Sequence, residues 1–157
     1  MPGAEWRPLF LFLHVLSVLI WVGGMAFAYL CLRPAAVEIL DAPQRLRLWC
    51  AVFKRFFPLV WAALAALWLS GLCMLLPGGM AFAPKHWHVM LTLGTVMTAI
   101  YLLVYFKFYA ALRQALANEN WPAGGAALGK IRQWIGINLL LGFVTVATAT
   151  LGWWFAG

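Results

Sequence analysis

Acidic residues are scarce in this sequence. Its 157 residues include only four carboxylates, Glu5, Glu38, Asp41 and Glu119, and none of them lies inside the long apolar runs. Those runs therefore lack the paired acids of acid–base catalysis and the acidic residues of a proton relay, which disfavours a proton-driven transporter. The sequence also has no glycine-rich phosphate loop and no Ser-His-Asp arrangement.

Cysteines and charged residues are also few. The three cysteines, Cys31, Cys50 and Cys73, form no Cys-x-x-Cys pair, which favours neither a disulfide framework nor thiol-exchange chemistry. Only 10% of the residues are charged and 66% are hydrophobic, whereas a soluble domain is roughly half apolar and a quarter charged. The surplus predicts one domain, residues 1–157, embedded in a lipid bilayer.

Long apolar segments are what the chain has in abundance. A membrane-spanning helix needs about 20 mainly apolar residues. Four segments meet this length, at about residues 8–32, 57–76, 86–109 and 134–156. Pro8 and Pro58 are expected in first turns, where proline costs no hydrogen bond. The sequence therefore predicts an all-α integral membrane protein, folded as a bundle of four transmembrane helices.

The basic residues predict how this bundle lies in the membrane. Nine of the eleven Lys and Arg residues fall within residues 33–55 and 107–132, and the opposite side has only Arg7 and Lys85. Because loops rich in Lys and Arg stay cytoplasmic, both termini and loop 77–85 are expected to face the periplasm of a bacterial inner membrane. The net charge of +7 is thus interpreted as a topology signal and an attraction to anionic lipid, with no nucleic-acid partner.

The first connecting loop is predicted to be helical. Asp41 resembles a helix N-cap with Gln44 three residues on, and basic residues alternate with apolar ones from Arg45 to Arg55. This pattern favours an amphipathic helix on the inner leaflet that runs into the second span. In the third loop, residues 118–125 are expected to form a flexible centre.

Three histidines are the candidate functional residues: His14, His86 and His88. His14 lies six residues beyond Pro8, roughly 9 Å along its helix, and His88 lies three residues beyond Lys85, at about 5 Å. Since both spans start at the same membrane face, His14 and His88 are expected at a similar depth in the outer third of the bilayer. An ionisable residue within a span is costly and indicates a functional site.

Helical spacing predicts which way these side chains point. Small or hydroxylated residues, which are typical of helix-packing faces in membranes, recur on one stripe of three spans. The stripes are His14, Ser17, Trp21, Gly24 and Ala28 in the first span, His88, Thr92, Thr95 and Ala99 in the third, and Gly142, Thr145, Ala149 and Gly152 in the fourth. His14 and His88 are therefore expected to point into the bundle, while His86 lies about 200° from His88.

One hypothesis is a b-type haem between the first and third spans, near the periplasmic side. His14 and His88 would be its axial ligands and Trp21, Gly24 and Thr92 would line the pocket, because bis-imidazole ligation suits a haem that passes electrons. Glycine would let the flat macrocycle approach the helix. The electron partner would be a quinone or a membrane redox or copper-handling protein.

A second hypothesis is copper. His14, His88 and His86 would then be metal ligands, together with sulfur side chains toward the same face, because soft sulfur favours Cu(I). These side chains are Cys73, Met74, Met80 and Met90. A third hypothesis gives the histidines no metal: a buried imidazole bonds to Ser17 or Thr92 in a structural subunit of a larger membrane complex. The stripe of the fourth span also permits a homo-oligomer.

The sequence of the first span resembles that of a known protein family. It has a histidine at position 14, then Trp21-Val22-Gly23-Gly24, then Arg33-Pro34. This order resembles the opening of the CopD-like (copper resistance protein D) family, and the end of the chain, from Lys130 through the last span, is similar to that family's last span. The resemblance implies a four-helix unit that handles copper at the periplasmic side.

Related HemJ-type proteins are similar four-helix units. Resemblance to them implies binding of haem b and a role in protoporphyrinogen oxidation. The first-span histidine of that type corresponds to His14. Its lysine early in the third span has no counterpart beyond Lys85, and His88 and Met90 stand near the expected place.

Overall fold

Four long helices make up the protein in the computed structural model, which describes residues 5–75 and 84–152. The helices are α1 (Arg7–Ile39), α2 (Ala42–Leu75), α3 (Lys85–Ala117) and α4 (Trp121–Leu151). All four are long and apolar enough to cross a membrane, and the described residues contain no strand. The prediction of an all-α protein with four membrane spans is confirmed, and the protein is an integral membrane protein. The side on which the termini lie stays a prediction.

The helices extend well beyond the predicted spans at one end of the bundle. We call this end, residues 33–55 and 107–132, the basic end, and the opposite end, with residues 5–14, 70–75, 84–88 and 148–152, the terminal end. A helix of about 33 residues is roughly 50 Å long, whereas the hydrocarbon core is about 30 Å thick. The additional turns therefore lie at or beyond the membrane surface. The last residues of the predicted fourth span, 153–156, lie outside the described residues.

The amphipathic segment of the first loop is helical, as predicted, and is continuous with the second span. The Gln44 amide donates to the Asp41 carboxylate at 2.8 Å, so the predicted N-cap forms. Pro58 lies in the middle of α2, and not in a first turn as expected. The expected boundary was wrong because the amphipathic segment and the span share one helix axis.

The third loop is much shorter than predicted. Residues 118–125 were expected to be flexible, but α4 begins at Trp121. The Asn120 side chain accepts a hydrogen bond from the Ala123 amide at 3.1 Å and caps the helix. Glu119 takes the left-handed backbone conformation that reverses the chain, with φ of 51°. An Asn cap followed by proline in the first turn is a helix-start signal that outweighs the neighbouring glycines.

Neighbouring helices run antiparallel, with α1 packed on α2 and α3 packed on α4. Between α2 and α3 the core is a stack of aromatic rings from Phe53 to Trp61 and from Tyr101 to Tyr109. The ring centroids of Phe57 and Tyr109 are 4.9 Å apart. The outer surface carries large apolar side chains, among them Phe12, Leu19, Phe27, Leu69, Phe106 and Leu140. This surface suits direct contact with lipid chains.

Short π-helical segments interrupt two of the helices. In α1 they are Leu19–Gly23 and Ala28–Leu32, and in α3 the segment is Val104–Tyr109. Each widens the helical turn locally and changes the register of the residues that follow. Trp21-Val22-Gly23-Gly24 is therefore a wide turn within a continuous helix. Segments of this kind occur frequently at functional sites.

Candidate functional site

His14 faces the neighbouring helix α2 at the terminal end of the bundle. Its side chain is half-buried, and its Nδ1 atom lies 3.2 Å from the Ser70 hydroxyl oxygen. Gly71 leaves space for the imidazole, because a Cβ atom there would stand 3.3 Å from the His14 Cε1 atom. The inward direction predicted for His14 agrees with this placement. The hydrogen-bond partner is Ser70, and not Ser17, whose hydroxyl donates to the Leu13 carbonyl.

The Ser70 hydroxyl indicates which tautomer His14 adopts. Ser70 is 1% exposed, and its oxygen lies 2.6 Å from the Ala66 carbonyl, to which it donates its single proton. With that proton engaged, the Ser70 oxygen is placed to accept from His14 Nδ1–H. In that tautomer Nε2 is the nitrogen that would bind a metal, with Ser70 holding the ring in position.

His88 and Thr92 do not point into the bundle. Both side chains are exposed, so the predicted inward direction of the His88 stripe is wrong. His86 is the half-buried histidine of α3, and it packs against Gly152 of α4, where a Cβ atom would stand 2.9 Å from the His86 Cβ atom. The error arises because α3 is apolar on nearly every side, so hydroxyl groups can lie on a lipid-facing surface by bonding to their own helix, as Thr92 does to the His88 carbonyl at 2.9 Å.

Trp21 is buried and Gly24 is half-buried, and both contact other residues of the chain. The Trp21 indole is 3% exposed and meets the Tyr101 ring edge-on, with 6.3 Å between centroids. A Cβ atom at Gly24 would collide with the Phe56 ring. The flat group that approaches the glycine is therefore Phe56. With His88 on the outer surface as well, these residues do not fit a haem held between the first and third spans.

A buried contact between an amide and a thioether joins α1 and α4 inside the core. Asn138 is 3% exposed, and its Nδ2 atom lies 3.9 Å from the Met25 sulfur. Its Oδ1 atom is buried and has no hydrogen-bond partner among the described residues. Both residues line a cavity of about 300 Å³, a volume that includes space open to its surroundings. A buried unpaired carbonyl is costly in a membrane interior and marks Asn138 as a candidate functional residue.

A second thioether contacts α4 about two turns away from Asn138. The Met97 sulfur is 3.8 Å from the Thr145 hydroxyl, and the Met97 methyl group packs at Gly142, where a Cβ atom would stand 3.4 Å from it. The Gly142 and Thr145 part of the α4 stripe thus packs inside the bundle, whereas Ala149 is exposed. The sequence offered one signal for this region, a single amide in an apolar span, but it did not indicate that the two buried sulfurs would meet the same face of α4.

The predicted sulfur ligands at the terminal end are not gathered into a metal site in the described part of the chain. Cys73 is exposed and Met74 and Met90 are half-buried, while Met80 lies outside the described residues. Residues 5–75 and 84–152 contain no group of three or more His, Cys, Asp or Glu side chains placed to hold a metal ion.

The chain matches a known protein family over more than half of its length. Residues 50–152 match the family described as Copper resistance protein D, abbreviated CopD, over more than half of the chain. The chain belongs to the CopD family. No curated protein and no solved structure matches it. The predicted resemblance to the CopD family is confirmed, and the relation to HemJ-type proteins stays a suspicion. The CopD match begins at residue 50, so His14 and Met25 lie outside it, whereas Met97 and Asn138 lie within it.

Proposed function

We propose that this protein takes copper(I) as its substrate and acts as a carrier or permeation unit for it in the membrane. Membership of the CopD family directs the proposal to copper. The observation that carries it is the buried contact between the Met25 sulfur and the Asn138 amide nitrogen, at a residue whose amide oxygen has no partner among the described residues. Thioether sulfur is a preferred ligand of Cu(I).

The same helix that contributes Met25 also supplies an entry group. His14 lies 11 residues before Met25, about 16 Å toward the terminal end. In this proposal copper(I) meets His14 Nε2 first and the buried sulfurs of Met25 and Met97 next. The carrier needs no acidic group in the membrane, which suits a chain whose four carboxylates all lie outside the long apolar runs.

Other predicted partners remain proposals. A copper-handling membrane protein would supply or receive the ion, whereas a quinone or a membrane redox partner would exchange electrons. The orientation with both termini outside would place His14 on the periplasmic side of a bacterial inner membrane. The exposed histidine, His88, is the better candidate for contact with such a partner, because it lies on the outer surface. A homo-oligomer is likewise a proposal.

The test is a Cu(I) titration of the detergent-solubilised protein against a chromophoric chelator. Met25→Leu keeps the volume of the side chain and removes only the sulfur. We expect it to weaken Cu(I) binding by at least about tenfold, the order of loss seen when supporting groups of a metal site are removed. Met90→Leu is the matched control, because Met90 is half-buried near the terminal end, and it should bind as the wild type does.

The copper content of cells provides the second measurement. Cells that express the wild type should differ in total copper from cells with an empty vector, and His14→Ala and Met25→Leu should abolish the difference. A wild type that binds no Cu(I) and leaves cell copper unchanged would refute the proposal. If Met25→Leu and Met90→Leu weaken Cu(I) binding equally, the binding site does not lie at Met25 in the bundle centre.

A further inference from the structure

A second recess lies toward the basic end of the bundle, at the opposite end from His14, and it shares Ile135 with the cavity beside Asn138. Its volume is about 490 Å³, part of which is open to the surroundings, and α1, α2 and α4 line it. Its inner wall is apolar and includes Phe53 and Ile131, which are 3% and 0% exposed. An open groove with this apolar lining can contact part of an amphiphilic ligand.

Three arginines from three helices line this groove: Arg33 from α1, Arg45 from α2 and Arg132 from α4. The Arg33 guanidinium lies over the Tyr29 ring, 5.2 Å from its centroid, which restrains its position. All four acidic residues of the chain are described, and none forms an ion pair with these arginines. The groove therefore combines an apolar wall with positive charge that the described residues leave without a counter-charge.

The depth of the arginines matches that of lipid headgroups. Arg7 and Arg33 lie 26 residues apart on α1, which corresponds to about 39 Å. A bilayer with its headgroup regions is about 40–45 Å thick. With Arg7 at one interface, Arg33 lies in the headgroup layer of the other, and the apolar wall of the groove lies next to the hydrocarbon.

We propose that this groove binds one anionic phospholipid. The three arginines hold the headgroup phosphate, which guanidinium groups contact through paired hydrogen bonds, and the apolar wall with Phe53 and Ile131 holds the first part of an acyl chain. Basic pockets between transmembrane helices recognise acidic headgroups in this way. The site would join α1, α2 and α4 at one point, and it is independent of copper.

The experiment is native mass spectrometry of the full-length protein released from detergent micelles. The probes are phosphatidylglycerol, phosphatidylcholine with the same acyl chains, and inorganic phosphate. The groove variant is Arg33→Gln/Arg45→Gln/Arg132→Gln. Its control is Arg47→Gln/Lys54→Gln/Arg55→Gln, which removes the same charge from the same end at residues that do not line the groove.

We expect the wild type and the control to retain phosphatidylglycerol over phosphatidylcholine, and the groove variant to retain it at least about fivefold less. Equal retention by all three proteins, or an equal loss in the control, would overturn the proposal. Displacement of the phospholipid by inorganic phosphate at an equal concentration would also overturn it, since the acyl chain would then contribute nothing.

A single substitution keeps the test decisive if the triple variant does not fold. Arg132 and Lys130 are both exposed on α4, but only Arg132 lines the groove. Arg132→Gln should reduce retention of phosphatidylglycerol and Lys130→Gln should not. Identical retention by these two variants would overturn the proposal.

Discussion

Gly24 illustrates how one missing side chain sets the distance between two helices. The Phe56 ring of α2 lies against the backbone of α1 at this position, in space that a Cβ atom would fill. Gly23, the preceding residue, has nothing within 4 Å of its Cβ position. Two adjacent glycines of one motif therefore have different roles, and only Gly24 permits close packing.

The first prediction concerns these two glycines. We expect Gly24→Ala to lower the free energy of unfolding by about 1–2 kcal/mol, because the overpacking cost exceeds the helix stabilisation gained from alanine. Gly23→Ala should be neutral or slightly stabilising. Thermal unfolding in detergent measures both variants. Gly24→Ala/Phe56→Leu should recover part of the loss, and equal melting of the two single variants would mean that Phe56 moves aside at no cost.

Among the helices, α2 receives a hydrogen bond from α3 next to its internal proline, Pro58. Pro58 has no amide proton, so it makes no hydrogen bond to the preceding turn. At the same level the Tyr101 hydroxyl of α3 donates to the Phe57 carbonyl at 3.1 Å. The Trp68 indole donates to the Thr98 hydroxyl at 3.2 Å further along the same pair. These two hydrogen bonds fix α2 and α3 in register, where aromatic rings alone would allow sliding.

The second prediction removes one of these hydrogen bonds. Tyr101→Phe keeps the ring and deletes the hydroxyl group, and we expect it to destabilise the bundle by about 0.6–2 kcal/mol. Tyr105→Phe is the control, because the Tyr105 hydroxyl has no hydrogen-bond partner in the described part of the chain. Denaturant unfolding in mixed micelles provides the comparison. If both variants unfold at the same denaturant concentration, the interhelical hydrogen bond contributes nothing to stability.

At the scale of the whole molecule, positive charge divides the bundle into two unlike ends. The basic end carries nine Lys and Arg residues, whereas the rest of the chain carries two, Arg7 and Lys85. Such a bias determines membrane orientation, and it also determines where an anionic lipid would bind. The proposed copper entry and the proposed lipid groove thus lie at opposite ends.

The third prediction concerns this orientation. In a variant with Cys31, Cys50 and Cys73 replaced by alanine, Lys85→Cys and Glu119→Cys introduce a single thiol at opposite ends of the bundle. We expect an impermeant thiol reagent to label Lys85→Cys in intact cells and Glu119→Cys only after the membrane is permeabilised. Labelling of Glu119→Cys alone in intact cells would show that the orientation is the reverse of the predicted one, with His14 on the cytoplasmic side.

The sequence by itself determined the number of helices, their membrane nature, the N-cap at Asp41 and the family. Each of these depends on the composition of one segment, because a bilayer selects spans by length and apolarity. It also indicated that His14 points inward, since that face of α1 contains small residues.

Only the tertiary structure decided which face of α3 is buried and what meets Gly24. A helix that is apolar on all sides carries no periodic signal for its interior face, and an error of one residue in its start rotates that face by about 100°. The Met25–Asn138 contact and the three-arginine groove each combine residues from separate helices. Their positions depend on how neighbouring side chains pack, which no single segment of the sequence specifies.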